Sequence, residues 1–319
     1  MTTRSRFTAL LGCLLLIRPT VAALPPADPA EVGLDAAGLA RIDDVVDRSI
    51  ASKQFPGAVV IVGRDGRIAL AKAYGHRALV PAAEPMMRDT IFDMASLTKP
   101  MATATAAMIL LERGKIRLGD SIVRHLPEFA PNGKRAITVE MLLRHRAGLI
   151  PDNPLRDYAD GPAKAWERLA NIGLQYPPGE GFRYSDVGFQ VLGRLVERVS
   201  GEPLDRFTRT NIYEPLGMVD SGFLPPSDKL GRIAPTERDG GKMLRGDVHD
   251  PRSRAIGGVA GHAGLFSTAD DVAVYAQMLL DGGQSRDGRS VLGPLTIRAM
   301  IDPADTPKDE ERGLGWDVV

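Results

Sequence analysis

Ser96-Leu97-Thr98-Lys99 runs directly into Pro100-Met101-Ala102-Thr103-Ala104-Thr105-Ala106-Ala107-Met108-Ile109-Leu110-Leu111. Small and apolar residues from Ala102 to Leu111 would cover every face of a helix. The spacing therefore predicts a helix buried on all sides, with Pro100 tolerated in its first turn and Gly114 as its stop. Ser96 and Lys99, three apart, share one face of such a helix. A serine at a helix N-terminus meets unpaired N–H groups that favour negative charge. A desolvated, neutral lysine beside it can take or relay its proton. The bland reading of Ser-x-x-Lys is an ordinary helix start, so the pattern needs support from elsewhere in the chain.

On the N-terminal side, Leu34-Asp35 opens a helix with Leu39, Ile42, Val46 and Ile50 at helical spacing. Two apolar runs follow, Gly57 to Gly63 and Ile68 to Tyr74, separated by Arg64-Asp65-Gly66-Arg67. The Asp-Gly pair predicts a tight hairpin, hence two antiparallel strands. On the C-terminal side, Leu118 to about Met218 reads as helices and loops. Its clearest helix is Val187 to Ser200, ended by Gly201-Glu202-Pro203. Residues 221 to 256 read as loops. A glycine segment, Gly257 to Gly264, precedes a helix capped by Ser267 or Thr268. A short helix from Pro294 to Ile301 and a strand from Leu314 to Val319 complete the reading.

The N-terminus has the pattern of an export signal. Arg4 and Arg6 precede an apolar core from Ala9 to Ile17, then small residues Thr20 to Ala23. Residues 1–23 read as a signal peptide, too short for a stable membrane anchor, and 24–319 as the mature domain. A periplasmic or secreted protein is expected. Cys13 is the one cysteine and falls inside the signal, so thiol and disulfide chemistry are not expected in the mature chain. Across the 319 residues, 40 lysines and arginines balance 40 aspartates and glutamates, which gives no footprint for nucleic acid.

The support for Ser96 lies downstream. Pro177-Pro178-Gly179-Glu180 leads into Phe182-Arg183-Tyr184-Ser185-Asp186, directly before the amphipathic helix. A tyrosine at that junction presents its hydroxyl from a rigid loop; the bland reading is an aromatic that anchors the loop. With Leu142 to Leu149 (Leu-Leu-Arg-His-Arg-Ala-Gly-Leu) and Glu214-Pro215-Leu216-Gly217-Met218, the ordered set resembles the serine β-lactamase-like hydrolases. These are the class C β-lactamases, D-alanyl-D-alanine carboxypeptidases and related esterases.

The resemblance implies an α+β fold. An antiparallel sheet flanked by helices is built from both chain ends, with a mainly helical region inserted at roughly 118–218 and the site in the cleft between. It implies that Ser96 attacks a carbonyl to form an acyl-enzyme, that Lys99 and Tyr184 share the general-base role, and that no cofactor takes part. It places Asp186, His262 and Gly264 at the substrate. Two departures stand out. The family's Tyr-x-Asn is here Tyr184-Ser185-Asp186; an ionised Asp186 would favour the charged form of Lys99 and weaken it as a base. The third motif, Lys-Thr-Gly or His-Thr-Gly on a strand, has a compatible form in His262-Ala263-Gly264. That triplet, however, precedes a capped helix, while Gly313-Leu314-Gly315-Trp316, which the true motif should follow, comes almost last. The last strands and the third motif are thus expected to be missing.

His249 and His262, with Asp247 and Asp250, match no common metal-ligand spacing, and no metal is expected. Hydrogen bonds bracing the glycine loop are the plainer role. The leading function is an exported serine hydrolase acting on a peptidoglycan-type peptide or a small ester, with weak or no β-lactamase activity. The alternative is a truncated, non-catalytic remnant that binds cell-wall peptides.

Overall fold

The computed structural model describes residues 23–303 and 311–318; the export-signal reading lies almost wholly outside them. Helix α1 (Ala36–Ala51) starts where Asp35 accepts hydrogen bonds from the Ala37 and Gly38 N–H groups. Strands β1 (Gly57–Arg64) and β2 (Arg67–Ala78) pair antiparallel, with Arg64 opposite Arg67. Asp65 and Gly66 turn between them at φ 54° and 69°, the left-handed pair that a two-residue hairpin requires. Strand β3 (Glu84–Pro85) adds to β2.

A second small sheet has β4 (Ile91–Asp93), β8 (Leu265–Thr268) and β5 (Gly222–Phe223), with β8 in the middle. The predicted buried helix is α2 (Thr105–Glu112), preceded by a π-helical segment from Lys99 to Ala104; every residue from Lys99 to Leu110 is buried. Gly114, at φ 67°, donates to Leu111 O, and Lys115 N–H reaches Leu110 O, closing the helix end.

Helices α3 (Val139–Leu143), α4 (Pro162–Ala170), α5 (Asp186–Ser200), α6 (Leu204–Thr208) and α7 (Glu214–Leu216) follow. Of the face that helical spacing predicts for α5, Val187, Val191, Leu192, Leu195 and Val196 are fully buried and Val199 is half-buried, and the helix packs on α2 and α3. Its burial, at about 1.5–3 kcal/mol per large side chain, makes α5 the anchor of the site it begins.

The stretch 221–256 carries more structure than expected: β5, a small hairpin β6–β7 (Arg238–Asp239, Lys242–Met243) and α8 (Pro251–Ala255). Between the glycine segment and helix α9 (Ala269–Leu280) lies β8, a strand the sequence reading omitted. Its four residues are buried on both faces, so no alternation betrays it. Helix α10 (Pro294–Ile301) is as expected. Residues 312–317 make a tight turn closed by a single Arg312–Asp317 bridge instead of the expected strand. Gly315 there binds the Leu143 carbonyl, which turns the chain back on the core. No helix among the described residues is long and apolar enough to cross a membrane.

Candidate active site

Ser96 stands between β4 and α2, on a backbone held under constraint. Asp93, the last residue of β4, accepts the Ala95 N–H at 2.8 Å through one oxygen and the His249 N–H at 2.7 Å through the other. Ala95 takes φ 45°, a left-handed conformation uncommon for a residue with a Cβ. Such strain persists only where surrounding contacts fix it, and the Asp93 contacts do so here. Ser96 sits in a 3-10 turn, Ala95–Leu97, not at the start of an α-helix as expected. The chain then widens into the π-helical segment. Pro100 has no N–H to donate to a regular helical ladder, and its carbonyl accepts the Thr105 hydroxyl at 2.8 Å. Short π segments occur frequently at functional sites.

Lys99 is 2% exposed. Its Nζ donates to Ser96 Oγ at 2.9 Å and to the His262 carbonyl at 3.3 Å. It lies 2.6 Å from Asp186 Oδ1, angled as an ion pair and not as a directed hydrogen bond. Two acceptors and a carboxylate match the three N–H groups of an ammonium. The sequence reading set a neutral Lys99 against an Asp186 that would favour its charged form, and the carboxylate does face the amine. The Tyr184 ring centroid lies 4.7 Å from the same nitrogen.

Tyr184 and Asp186 flank the residue that caps α5. Ser185 Oγ accepts the Gly188 N–H at 3.0 Å and donates to the Ile150 carbonyl at 2.6 Å. Capping therefore brings the phenol and the carboxylate to the lysine together. Tyr184 remains 38% exposed, and one face of its ring stacks on His145 at 4.5 Å.

The glycine segment lies against α5 as a strap. A Cβ on Gly261 would fall 2.0 Å from the Phe189 carbonyl and 2.9 Å from the Gly193 nitrogen, so only glycine permits this approach. Thr103 Oγ1 donates to the Gly261 carbonyl at 2.7 Å, and Leu265 N–H donates to Thr98 Oγ1 at 3.1 Å. The strap is thereby fastened to the turn that carries Lys99.

Of the residues placed at the substrate, only Asp186 keeps an accessible side chain. The His262 imidazole is 1% exposed and turns behind Lys99, where Nε2 meets Asp250 Oδ1 at 2.9 Å. Its carbonyl, not its ring, meets the amine. Gly264, at φ 120°, is buried, and a Cβ there would lie 2.4 Å from the Gly258 carbonyl. The expected bracing of the glycine loop is present as the His262–Asp250 pair. Burial opposes the Asp250 charge, but His262, the Ser253 N–H and Arg252 outweigh it and hold this carboxyl down at about 2. Burial and the nearby Asp186 raise Asp152 above the ordinary carboxyl range.

Asp186, Asp250 and His262 offer ligand atoms within 4.8 Å of one another. His262 Nε2 and Asp250 Oδ1 already face each other, and Asp186 Oδ1 faces Lys99 Nζ. The lysine thus supplies a cation beside the cluster. Asp93, His145 and Asp250 were not among the site residues read from the sequence. Asp93 could have been found as a short carboxylate three residues before the serine. His145 lay within the quoted Leu142 to Leu149 stretch and Asp250 was read as bracing the glycine loop, but nothing local tied either to the site.

The Beta-lactamase family signature matches residues 42–319. This chain belongs to the β-lactamase family. Within the family it is 34% identical over 313 residues to a Bacillus subtilis (strain 168) protein named N-acetylmuramyl-L-alanine amidase, covering 87% of this chain and 70% of that one. It is 32% identical over 330 residues to a Salmonella typhimurium (strain LT2) protein provisionally named D-alanyl-D-alanine carboxypeptidase, covering 92% and 76%. Among solved structures, a class C β-lactamase superposes with TM-score 0.75 at 20% identity (89% and 75% covered). The hydrolase EstCE1, titled as having promiscuous acyltransferase activity, gives 0.68 at 26% (87% and 81%). The octameric penicillin-binding protein homologue of Pyrococcus abyssi gives 0.71 at 24%, and this chain spans 64% of its length. The α+β architecture is that of the family, and the chain is a β-lactamase-family hydrolase.

Proposed function

We propose that this chain is a serine hydrolase that forms an acyl-enzyme on Ser96. The observation that carries the reading is the 2.9 Å contact of Lys99 Nζ with Ser96 Oγ beneath the Tyr184 ring. Ser96 Oγ attacks a carbonyl carbon, the Oγ–H proton leaves, and the leaving group departs with a proton; water then releases the acyl group. With the Asp186 carboxylate beside the Lys99 ammonium, the hydroxyl proton passes to Lys99 as Lys99 hands one to Asp186; the Tyr184 phenol, which must release its own proton to take another, relays one onward to the leaving group. Meanwhile the ammonium stabilises negative charge growing on Oγ.

The substrate class in this reading is a peptidoglycan-type peptide, as the carboxypeptidase and amidase names of the relatives suggest, or a small ester. Asp186 accepts hydrogen bonds only, where asparagine would also donate one, so activity on β-lactams is weak or absent. A signal peptide over residues 1–23 would deliver the chain to the periplasm or outside the cell. The test is hydrolysis of a D-alanyl-D-alanine stem peptide, p-nitrophenyl acetate and nitrocefin, with covalent labelling by a fluorophosphonate. Labelling lost in Ser96→Ala supports the reading; a folded protein that never labels overturns it. In that case the second reading applies: a site that binds cell-wall peptides without turnover. The ion-paired state of Lys99 is the observation that favours it.

A further inference from the structure

We propose that His145 is a positioning residue for Tyr184, holding the phenol over the Lys99 amine. The proposal rests on the reading that Ser96, Lys99 and Tyr184 carry out acyl transfer. Three contacts converge from His145 on three consecutive residues. Its carbonyl accepts the Arg183 N–H at 2.9 Å, and its Nδ1 accepts the Ser185 N–H at 3.0 Å. Between these two bonds its ring stacks on Tyr184, 4.5 Å between centroids and 29° between planes. The Tyr184 ring thus touches both the imidazole and Lys99 Nζ.

Without this clamp little would fix Tyr184, which is half-exposed on a loop with no regular secondary structure. The clamp itself is rigid. His145 is buried, its ring is backed by Phe189 at 4.9 Å, and Phe182 meets it edge-on at 6.1 Å. Its backbone takes φ 57°, the left-handed conformation that ends the turn after α3. Ser185, held by Nδ1, is also the cap of α5, so the same contact sets the start of the helix that presents Asp186.

The geometry fixes the tautomer. An Nδ1 that accepts from a backbone N–H carries no hydrogen, so the hydrogen is on Nε2. Burial, and then the charges of Lys99 and Arg312, push the imidazole down to about 3, so the ring stays neutral and Nδ1 stays an acceptor. A protonated ring would turn a donor toward Ser185 N–H and place a second cation beside Lys99.

The experiment separates the acceptor from the ring face. His145→Asn keeps an acceptor near the Nδ1 position and tolerates the left-handed backbone, but removes the stack. His145→Phe keeps the stack and removes the acceptor. Each should lower kcat on p-nitrophenyl acetate on the order of 10- to 100-fold while KM stays nearly constant, because misplacing a catalytic group costs that much without weakening binding. In a Tyr184→Phe background the same substitutions should have almost no further effect, because the hydroxyl they position is gone. Equal losses in both backgrounds would make His145 a packing residue only and overturn the proposal. Should the variants fail to fold, nitrogen chemical shifts of 15N-histidine-labelled wild-type protein decide: a hydrogen on Nε2 supports the clamp, and a hydrogen on Nδ1 overturns it. The nitrogen shifts do not depend on Ser96 being the nucleophile, which the Ser96→Ala labelling experiment tests separately.

Discussion

Asp186 Oδ1 and Lys99 Nζ are 2.6 Å apart, and this pair decides how the site is charged before any substrate arrives. A carboxylate at that distance from an amine favours its ammonium form. A lysine already carrying its proton cannot take another from Ser96.

Asp186→Asn keeps an oxygen facing Lys99 and removes the countercharge. We expect hydrolysis at neutral pH to rise, because the carboxylate facing the amine is gone. Profiles on a p-nitrophenyl ester and on nitrocefin check this. A fall in activity at every pH would mean that Asp186 itself stores the proton relayed through Lys99.

Tyr184→Phe should retain the stack on His145 and lose only the hydroxyl. Stability should change by less than about 0.5 kcal/mol, as for surface changes that disturb no network. The acylation rate should fall by about 10² to 10⁴ if the phenol acts as general acid–base. Stopped-flow acylation and urea unfolding on the same sample separate the two quantities.

Acid should destabilise the fold in two steps. His145 has its folded value depressed to about 3, below the ordinary 6.5, so the unfolded chain binds a proton that the folded chain refuses. Stability is therefore lost as pH falls below about 6.5. Asp250, held at about 2 against an ordinary 3.8, adds stability that is present above about 4 and lost as pH falls toward 2, worth about 2 kcal/mol. Burial raises Asp271 to about 6, which acts in the opposite sense between about pH 6 and 4, so the check is a comparison: urea unfolding from pH 7 to pH 3 should show a smaller acid loss in His145→Asn than in the parent protein.

Gly261→Ala would place a methyl 2.0 Å from the Phe189 carbonyl, where both neighbours are backbone and cannot yield as a side chain would. We expect a loss of about 1–3 kcal/mol from overpacking. Activity should fall as well, since lifting the strap draws the His262 carbonyl off Lys99. An unchanged denaturation midpoint would show that the strap is not held against α5 in solution.

The sequence by itself determined the elements whose causes are local. The Asp65-Gly66 hairpin, the α5 face ending at Gly201, and α2 with its Gly114 stop all follow from residues within a turn or two of one another. The Ser96–Lys99 spacing and the Tyr184–Asp186 pair were legible for the same reason. Tertiary structure alone decided what stands behind the site. Strand β8 is buried on both faces and so shows no period. His262 has its ring buried because Asp250, twelve positions earlier, binds it there. His145 reaches Tyr184 across 39 positions through a backbone turn that no local pattern announces. Contacts between distant segments depend on how the whole core packs, and packing leaves no spacing in the chain to read.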